Sequence, residues 1–154
     1  MLKSNSFMVS IDTIKQLREE SEVSVSECKK ALEMSGGDLS KAKEILKQWG
    51  KEVAQKKGVR ETSQGIVDSY IHPNKKIGVL LELNCETDFV AKSPDFLKLA
   101  HELCLHIAGY GEDLPIMESA WIKDESKTVK DLIEEYIAKL GENITLKRFA
   151  KYQI

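Results

Sequence analysis

Gly65-Ile66-Val67-Asp68-Ser69-Tyr70-Ile71, then His72-Pro73-Asn74-Lys75-Lys76, then Gly78-Val79-Leu80-Leu81-Glu82-Leu83: this stretch decides the fold. Two runs rich in β-branched and large apolar residues flank a break whose Pro and Asn suit a turn, and that pattern predicts a β-hairpin. Immediately downstream lies Asn84-Cys85-Glu86-Thr87-Asp88-Phe89-Val90-Ala91. Thr87 can cap a turn whose first residues set Asp88 and Phe89 side by side. On spacing alone Phe89 reads as a core residue and Asp88 as a partner of the helix dipole. Ser93-Pro94 then opens a helix with Pro at its first position. Phe96, Leu97, Ala100, Leu103, Cys104 and Ile107 give that helix an apolar stripe that ends near Gly109 and should pack on one face of the hairpin.

Farther on, Pro115 and the polar segment Glu118 to Lys127 lead to Thr128. Thr128 can cap a helix carrying Val129, Leu132, Ile133, Tyr136, Ile137 and Leu140 up to Gly141. From Asn143 to Ile154 the chain alternates Ile144, Leu146, Arg148, Ala150 and Tyr152 against Thr145, Lys147, Phe149 and Lys151. Period-two alternation predicts a third strand, antiparallel to the hairpin.

Upstream of the hairpin the period changes from two to 3.6. Ile14 and Leu17 mark a short helix over Asp12 to Glu20, with Asp12 as its expected N-cap. A second runs from Ser24 to Met34 and stops at Gly36-Gly37. Asp38 caps a third, with Leu39, Ala42, Ile45, Leu46 and Trp49 at helical spacing. Between Gln55 and Gly65 the composition turns polar with two glycines, which reads as a linker. The expected organisation is therefore a three-helix domain over 1–54, a linker over 55–64 and a domain of three strands and packed helices over 65–154. The fold class is α+β.

Bulk properties exclude several functions. The 154 residues suffice for one or two small domains. Lys and Arg total 23 against 25 Asp and Glu, so no overall field draws the chain to nucleic acid or an anionic membrane. The first 60 residues carry 12 basic and 9 acidic side chains (+3) and the rest 11 and 16 (−5), too mild an asymmetry to support nucleic-acid binding. Cys28, Cys85 and Cys104 are odd in number and far apart, as expected of reduced thiols. There is no run of 18 apolar residues, and Met1 to Ser10 has neither an apolar core nor an Arg-rich amphipathic character. A soluble, cytoplasmic protein is expected.

Catalytic chemistry is sparse. His101 and Cys104 would share a helix face, but His106 lies about 200° from Cys104, so the three do not converge on a metal. Cys85 sits beside Glu86, which disfavours a thiolate. Gly36-Gly37 and Gly109-Tyr110-Gly111 lack the other residues of a phosphate cradle. No cofactor and no enzymatic activity are expected.

Asn84 to Ala91 closely resembles the signature of the elongation factor Ts family, Asn-Cys-Glu/Gln-Thr-Asp-Phe-Val-Ala. Leu17-Arg18-Glu19-Glu20, Cys28-Lys29-Lys30-Ala31-Leu32 and Gly37-Asp38 resemble that family's N-terminal three-helix domain, which is ubiquitin-associated-like. Gly141-Glu142-Asn143-Ile144 and Lys147-Arg148-Phe149 resemble its last strand. The resemblance implies a non-enzymatic guanine-nucleotide exchange factor of translation elongation whose partner is GDP-bound elongation factor Tu. It implies that Thr87, Asp88, Phe89 and Val90 form the loop that dislodges the partner's Mg²⁺. It further implies that Lys15, Arg18, Val25 and Ser26 touch the partner's nucleotide-binding domain, and that 65–154 is a single-core, dimerisation-type domain. Two departures stand out. Ser21-Glu22-Val23-Ser24 replaces the family's usual Thr-Gly-Ala-Gly, and the second core half and helical hairpin of typical members have no counterpart, for which a second copy of the chain could substitute. The alternative from another class is a ribosome- or nascent-chain-associated adaptor.

Overall fold

The computed structural model describes residues 8–111 and 114–154; the first seven residues of the Met1 to Ser10 segment lie outside that range. The chain divides into two compact units, Met1–Glu52 and Val53–Ile154.

In the first unit, helices α1 (Ile11–Ser21), α2 (Val25–Met34) and the start of α3 (Leu39–Lys57) enclose a small core of Leu17, Cys28, Ala31, Leu32, Ala42 and Leu46. The N-cap of α1 is Ser10, not Asp12: Ser10 Oγ accepts the Thr13 N–H at 3.2 Å, and Asp12 lies in the first turn, where its charge suits the helix dipole. Ser24 caps α2, its hydroxyl accepting the Glu27 N–H at 3.3 Å. Gly36 and Gly37 both take positive φ, and the Gly37 N–H returns to the Leu32 carbonyl at 2.9 Å to close that helix. Asp38 Oδ1 accepts the Lys41 N–H at 3.0 Å and starts α3. That helix continues to Lys57, so the segment expected to be linker from 55 begins as helix, and Ala54 is buried in the core of the second unit.

The second unit is a three-stranded antiparallel sheet in the order β1-β2-β5, with β1 at Gln64–Ile71, β2 at Ile77–Cys85 and β5 at Ile144–Gln153. Its inner face (Val79, Leu81, Leu83 and Cys85) packs with Phe96, Leu99, Leu103 and Ile107 of α5 (Pro94–Gly109) and with Val129, Leu132 and Ile133 of α6 (Val129–Leu140). Each fully buried side chain of this kind stabilises by about 1.5–3 kcal/mol. A one-turn helix, α4 (Asp88–Ala91), joins β2 to α5. The fold is α+β, as the two periodicities require.

Three expectations need correction here. Leu97 is exposed, and Leu99 takes the buried place on α5. The alternation of β5 does not run through: Leu83 pairs with Leu146 but Glu82 with Arg148, so Lys147 is an extra residue. This bulge reverses the faces beyond it, turning Phe149 onto the core and leaving Ala150 and Tyr152 outside. Finally, the polar segment before α6 holds a 3₁₀ turn (Ile116–Glu118) and a small hairpin of β3 (Ala120–Trp121) and β4 (Asp124–Thr128). Buried His106 supports that hairpin. Its Nδ1 accepts the Ile122 N–H at 3.2 Å, its Nε2 meets Ser119 Oγ at 2.8 Å, and Ser119 donates to the Ile116 carbonyl at 2.6 Å.

Candidate functional site

The Asn84 to Ala91 motif forms the crossing from β2 into α4. At its root Gly65 pairs with Asn84, and a Cβ at Gly65 would stand 2.2 Å from the Leu83 carbonyl oxygen, so only glycine allows this approach. Thr87 is the N-cap of α4, its hydroxyl oxygen accepting the Val90 N–H at 3.3 Å. Val90 and Ala91 are buried and anchor the helix. Phe89 between them and Thr87 points the other way and is 86% exposed, which corrects the core placement inferred from spacing. Asp88, also exposed, is paired with Lys92 at 2.6 Å, and this bond raises the Lys92 ammonium above its ordinary value.

A second motif holds the turn from the other end of the chain. Gly141, at φ 77, ends α6 and sends the backbone into Glu142. Glu142 Oε1 accepts the backbone N–H of Thr87 at 3.0 Å and of Glu86 at 3.2 Å, and its Oε2 accepts the Thr87 hydroxyl at 2.7 Å. In return Glu86 Oε1 accepts the Asn143 N–H at 3.0 Å. Asn143 is buried and donates from Nδ2 to the Arg60 carbonyl at 2.8 Å, and Arg60 lies 3.7 Å from the Glu86 carboxylate. Glu86, Glu142 and Asn143 were not among the expected site residues. Glu86 stood inside the Asn84 to Ala91 motif without a role of its own, and the signal for Glu142 and Asn143 was Gly141-Glu142-Asn143-Ile144, read as part of the last strand.

The expected N-terminal residues, Lys15 and Arg18 on α1 and Val25 and Ser26 in the first turn of α2, are all exposed. Lys15 and Arg18 share a side of their helix. Between the two helices Glu22 adopts φ 57, ψ 17, a left-handed conformation that favours glycine, and its N–H donates to the Arg18 carbonyl at 2.8 Å.

Burial pushes the Cys85 thiol up to about 11 and the Cys104 thiol up to about 12, so neither is a thiolate near neutrality. Cys85 Sγ donates to the Thr87 carbonyl at 3.2 Å, a further fastening of the turn. Among the described residues no three His, Cys, Asp or Glu side chains gather to hold a metal ion, and no helix is long and apolar enough to cross a membrane.

These features define an α+β protein with a separate helical unit and a braced turn that offers a bare aromatic ring. The model of the family "Elongation factor TS" matches residues 86–154, a span that holds both sides of the brace. The chain is 40% identical to elongation factor Ts of Coprothermobacter proteolyticus, over 95% of this chain and 98% of that protein. It is 39% identical to elongation factor Ts of Thermotoga petrophila, over 95% and 96%, and 37% identical to that of Methylacidiphilum infernorum, over 95% of each. The chain belongs to the elongation factor Ts family, and its role is in the elongation stage of protein biosynthesis. The first of these matches extends over 193 positions, more than the 154 residues present here, so that relative carries residues with no counterpart in this chain.

Proposed function

We propose that this chain promotes GDP release from elongation factor Tu by inserting Phe89, with Thr87, Asp88 and Val90 around it, near the partner's Mg²⁺ and phosphate site. The observation that carries this reading is the 86% exposure of Phe89 on a turn whose neighbours are buried or bonded. Lys15, Arg18, Val25 and Ser26 grip the partner's nucleotide-binding domain. The helical region 1–54 thus acts as one contact and 65–154 as the other, joined by 55–64. The mechanism needs no cofactor and makes no covalent bond, and its setting is the cytoplasm.

Linkage constrains the mechanism: a protein that weakens GDP binding is itself bound less tightly while GDP is present. A release 10⁴-fold faster corresponds to about 5.5 kcal/mol off the barrier. One aromatic hot spot supplies about 2–4 kcal/mol, so Phe89 requires the second contact. The test is release of labelled GDP from elongation factor Tu at increasing concentrations of this protein. Saturable acceleration is expected, and an unchanged release rate with intact binding would favour an adaptor instead.

Self-pairing through the sheet belongs to the same reading. The outer face carries Val67, Leu80, Ala150 and Tyr152 beside the Glu82–Arg148 pair, and β1 and β5 are both edges. A second copy offers the same near-neutral apolar face about a two-fold axis. Light scattering should show a mass rising above 17.4 kDa with concentration, and a constant monomer mass into the high micromolar range removes the pairing.

A further inference from the structure

The corner Gly141–Asn143 is joined to the Phe89 turn by four hydrogen bonds, and the exchange reading gives that corner no part. We propose that Glu142 is a positioning residue: it holds the backbone at Glu86 and Thr87 so that Phe89 is displayed in one orientation before the partner arrives. The functional consequence rests on the exchange reading above.

Three donors converge on the one carboxylate: the Glu86 N–H, the Thr87 N–H and the Thr87 hydroxyl. An ionised carboxylate only accepts, through two oxygens with about four lone-pair sites, and so satisfies all three together. Hydrogen bonds to an ionised acceptor are about twice as strong as neutral ones. The arrangement also orders the next link. Thr87 has a single hydroxyl proton, which goes to Glu142 Oε2, and this leaves the oxygen lone pairs for the Val90 N–H that begins α4. Glu142 therefore sets the rotor of the capping residue as well as the backbone before it.

Fastening is reciprocal. Glu86 returns a bond to the Asn143 N–H, Asn143 is tied to the Arg60 carbonyl, and Lys57 Nζ donates to the Gly141 carbonyl at 2.7 Å. The corner is thus itself held at two points outside the turn. On the far side of Phe89 the chain is anchored by buried Val90 and Ala91. A backbone held this way has little freedom left to lose on docking, and preorganisation of that kind strengthens binding by lowering its ordering cost.

The experiment uses the full chain as Glu142→Ala, Glu142→Gln, Phe89→Ala and the double variant Glu142→Ala/Phe89→Ala. Two readouts are compared: labelled GDP release from elongation factor Tu, and amide hydrogen exchange of the free protein. Glu142→Ala should slow catalysed release about tenfold, the equivalent of 1.4 kcal/mol. It should speed exchange at the Glu86 and Thr87 amides while β2 and α5 amides stay as protected as in the parent. Glu142→Gln should recover most of the activity, because its one oxygen keeps the two backbone bonds and its amide donates to Thr87. In the Phe89→Ala background, Glu142→Ala should cost almost nothing further, since there is no ring left to position. An equal loss with and without Phe89, or parental exchange at Glu86 and Thr87 in Glu142→Ala, overturns the proposal. If the parent itself fails to accelerate GDP release, the exchange reading falls, and the amide exchange still decides whether Glu142 holds the turn.

Discussion

The turn that carries Phe89 and the turn that joins α1 to α2 are both exposed and both lead into a helix capped by a hydroxyl, Thr87 in one and Ser24 in the other. They are fixed by different means. The Phe89 turn is tied by hydrogen bonds to residues 55 to 57 positions away. The α1–α2 turn is held by neighbours: Glu22 N–H to Arg18, Ser24 to Glu27, and Val23 packed on the helical core. The first matches the motifs on which the resemblance rests at both of its ends, whereas the second, Ser21-Glu22-Val23-Ser24, departs from the pattern that resemblance implies. The first turn depends on two distant segments folding together, while the second is set within its own few residues and carries Glu22 in the left-handed region.

The sharpest way to break this comparison is Phe89→Ala. The ring is bare in the free protein, so its removal should move the melting temperature by no more than about a degree or two, while exchange falls by about 30-fold to 1,000-fold, the equivalent of 2–4 kcal/mol. Release as fast as the parent's would show that this turn is not the one that works. Deleting Met1 to Glu52 examines the other turn. Residues 53–154 should still fold, because Ala54 and Lys57 stay with their core, but calorimetry should show weaker binding to elongation factor Tu. Undiminished affinity would remove the α1–α2 corner from the mechanism.

Acid separates the units next. His72, His101 and His106 all lie in the second unit, and burial holds the His106 imidazole below its ordinary value. Its Nδ1 already accepts the Ile122 N–H, so a proton there displaces a bond of the β3–β4 hairpin. Because the unfolded state binds the proton more tightly, the contribution of neutral His106 is complete above about pH 6.5 and is lost as pH falls from there towards the lowered native value. Between pH 7.5 and 5.5 the second unit should lose stability and the helical unit should not. Ring signals of His106 that titrate at or above the ordinary histidine value would contradict this.

Much of this architecture was legible because it is local. The β1–β2 hairpin, the caps Ser93 and Thr128, Pro94 at the first turn and the Gly36-Gly37 stop each depend on residues within a few positions of one another. What escaped is non-local. The extra residue at Lys147 exists only in register with Glu82 and Leu83. The β3–β4 hairpin is short and polar and is held in place by a histidine on another element. Phe89 reads as core by spacing because nothing nearby reveals that Val90 and Ala91 fill the interior instead. The brace at Glu142 was invisible for the same reason: Glu and Asn after a helix-ending glycine look like a strand start until the chain is folded.

The smallest expected effect concerns Glu22. Its φ of 57 places a side chain in the left-handed region, where a non-glycine residue costs about 1–2 kcal/mol. Glycine at this position would relieve that strain but would also loosen the unfolded chain, which offsets about 0.4–1 kcal/mol. Glu22→Gly also removes any interaction that the Glu22 side chain makes, so the helical unit should gain no more than about 0.5 kcal/mol, read as a higher denaturant midpoint at constant slope. Glu22→Asn separates backbone from side chain, since Asn tolerates the left-handed region yet keeps a polar group. It should recover part of the same gain. If both variants are less stable than the parent, Glu22 holds its turn through its side chain, and the two turns are more alike than their backbones suggest.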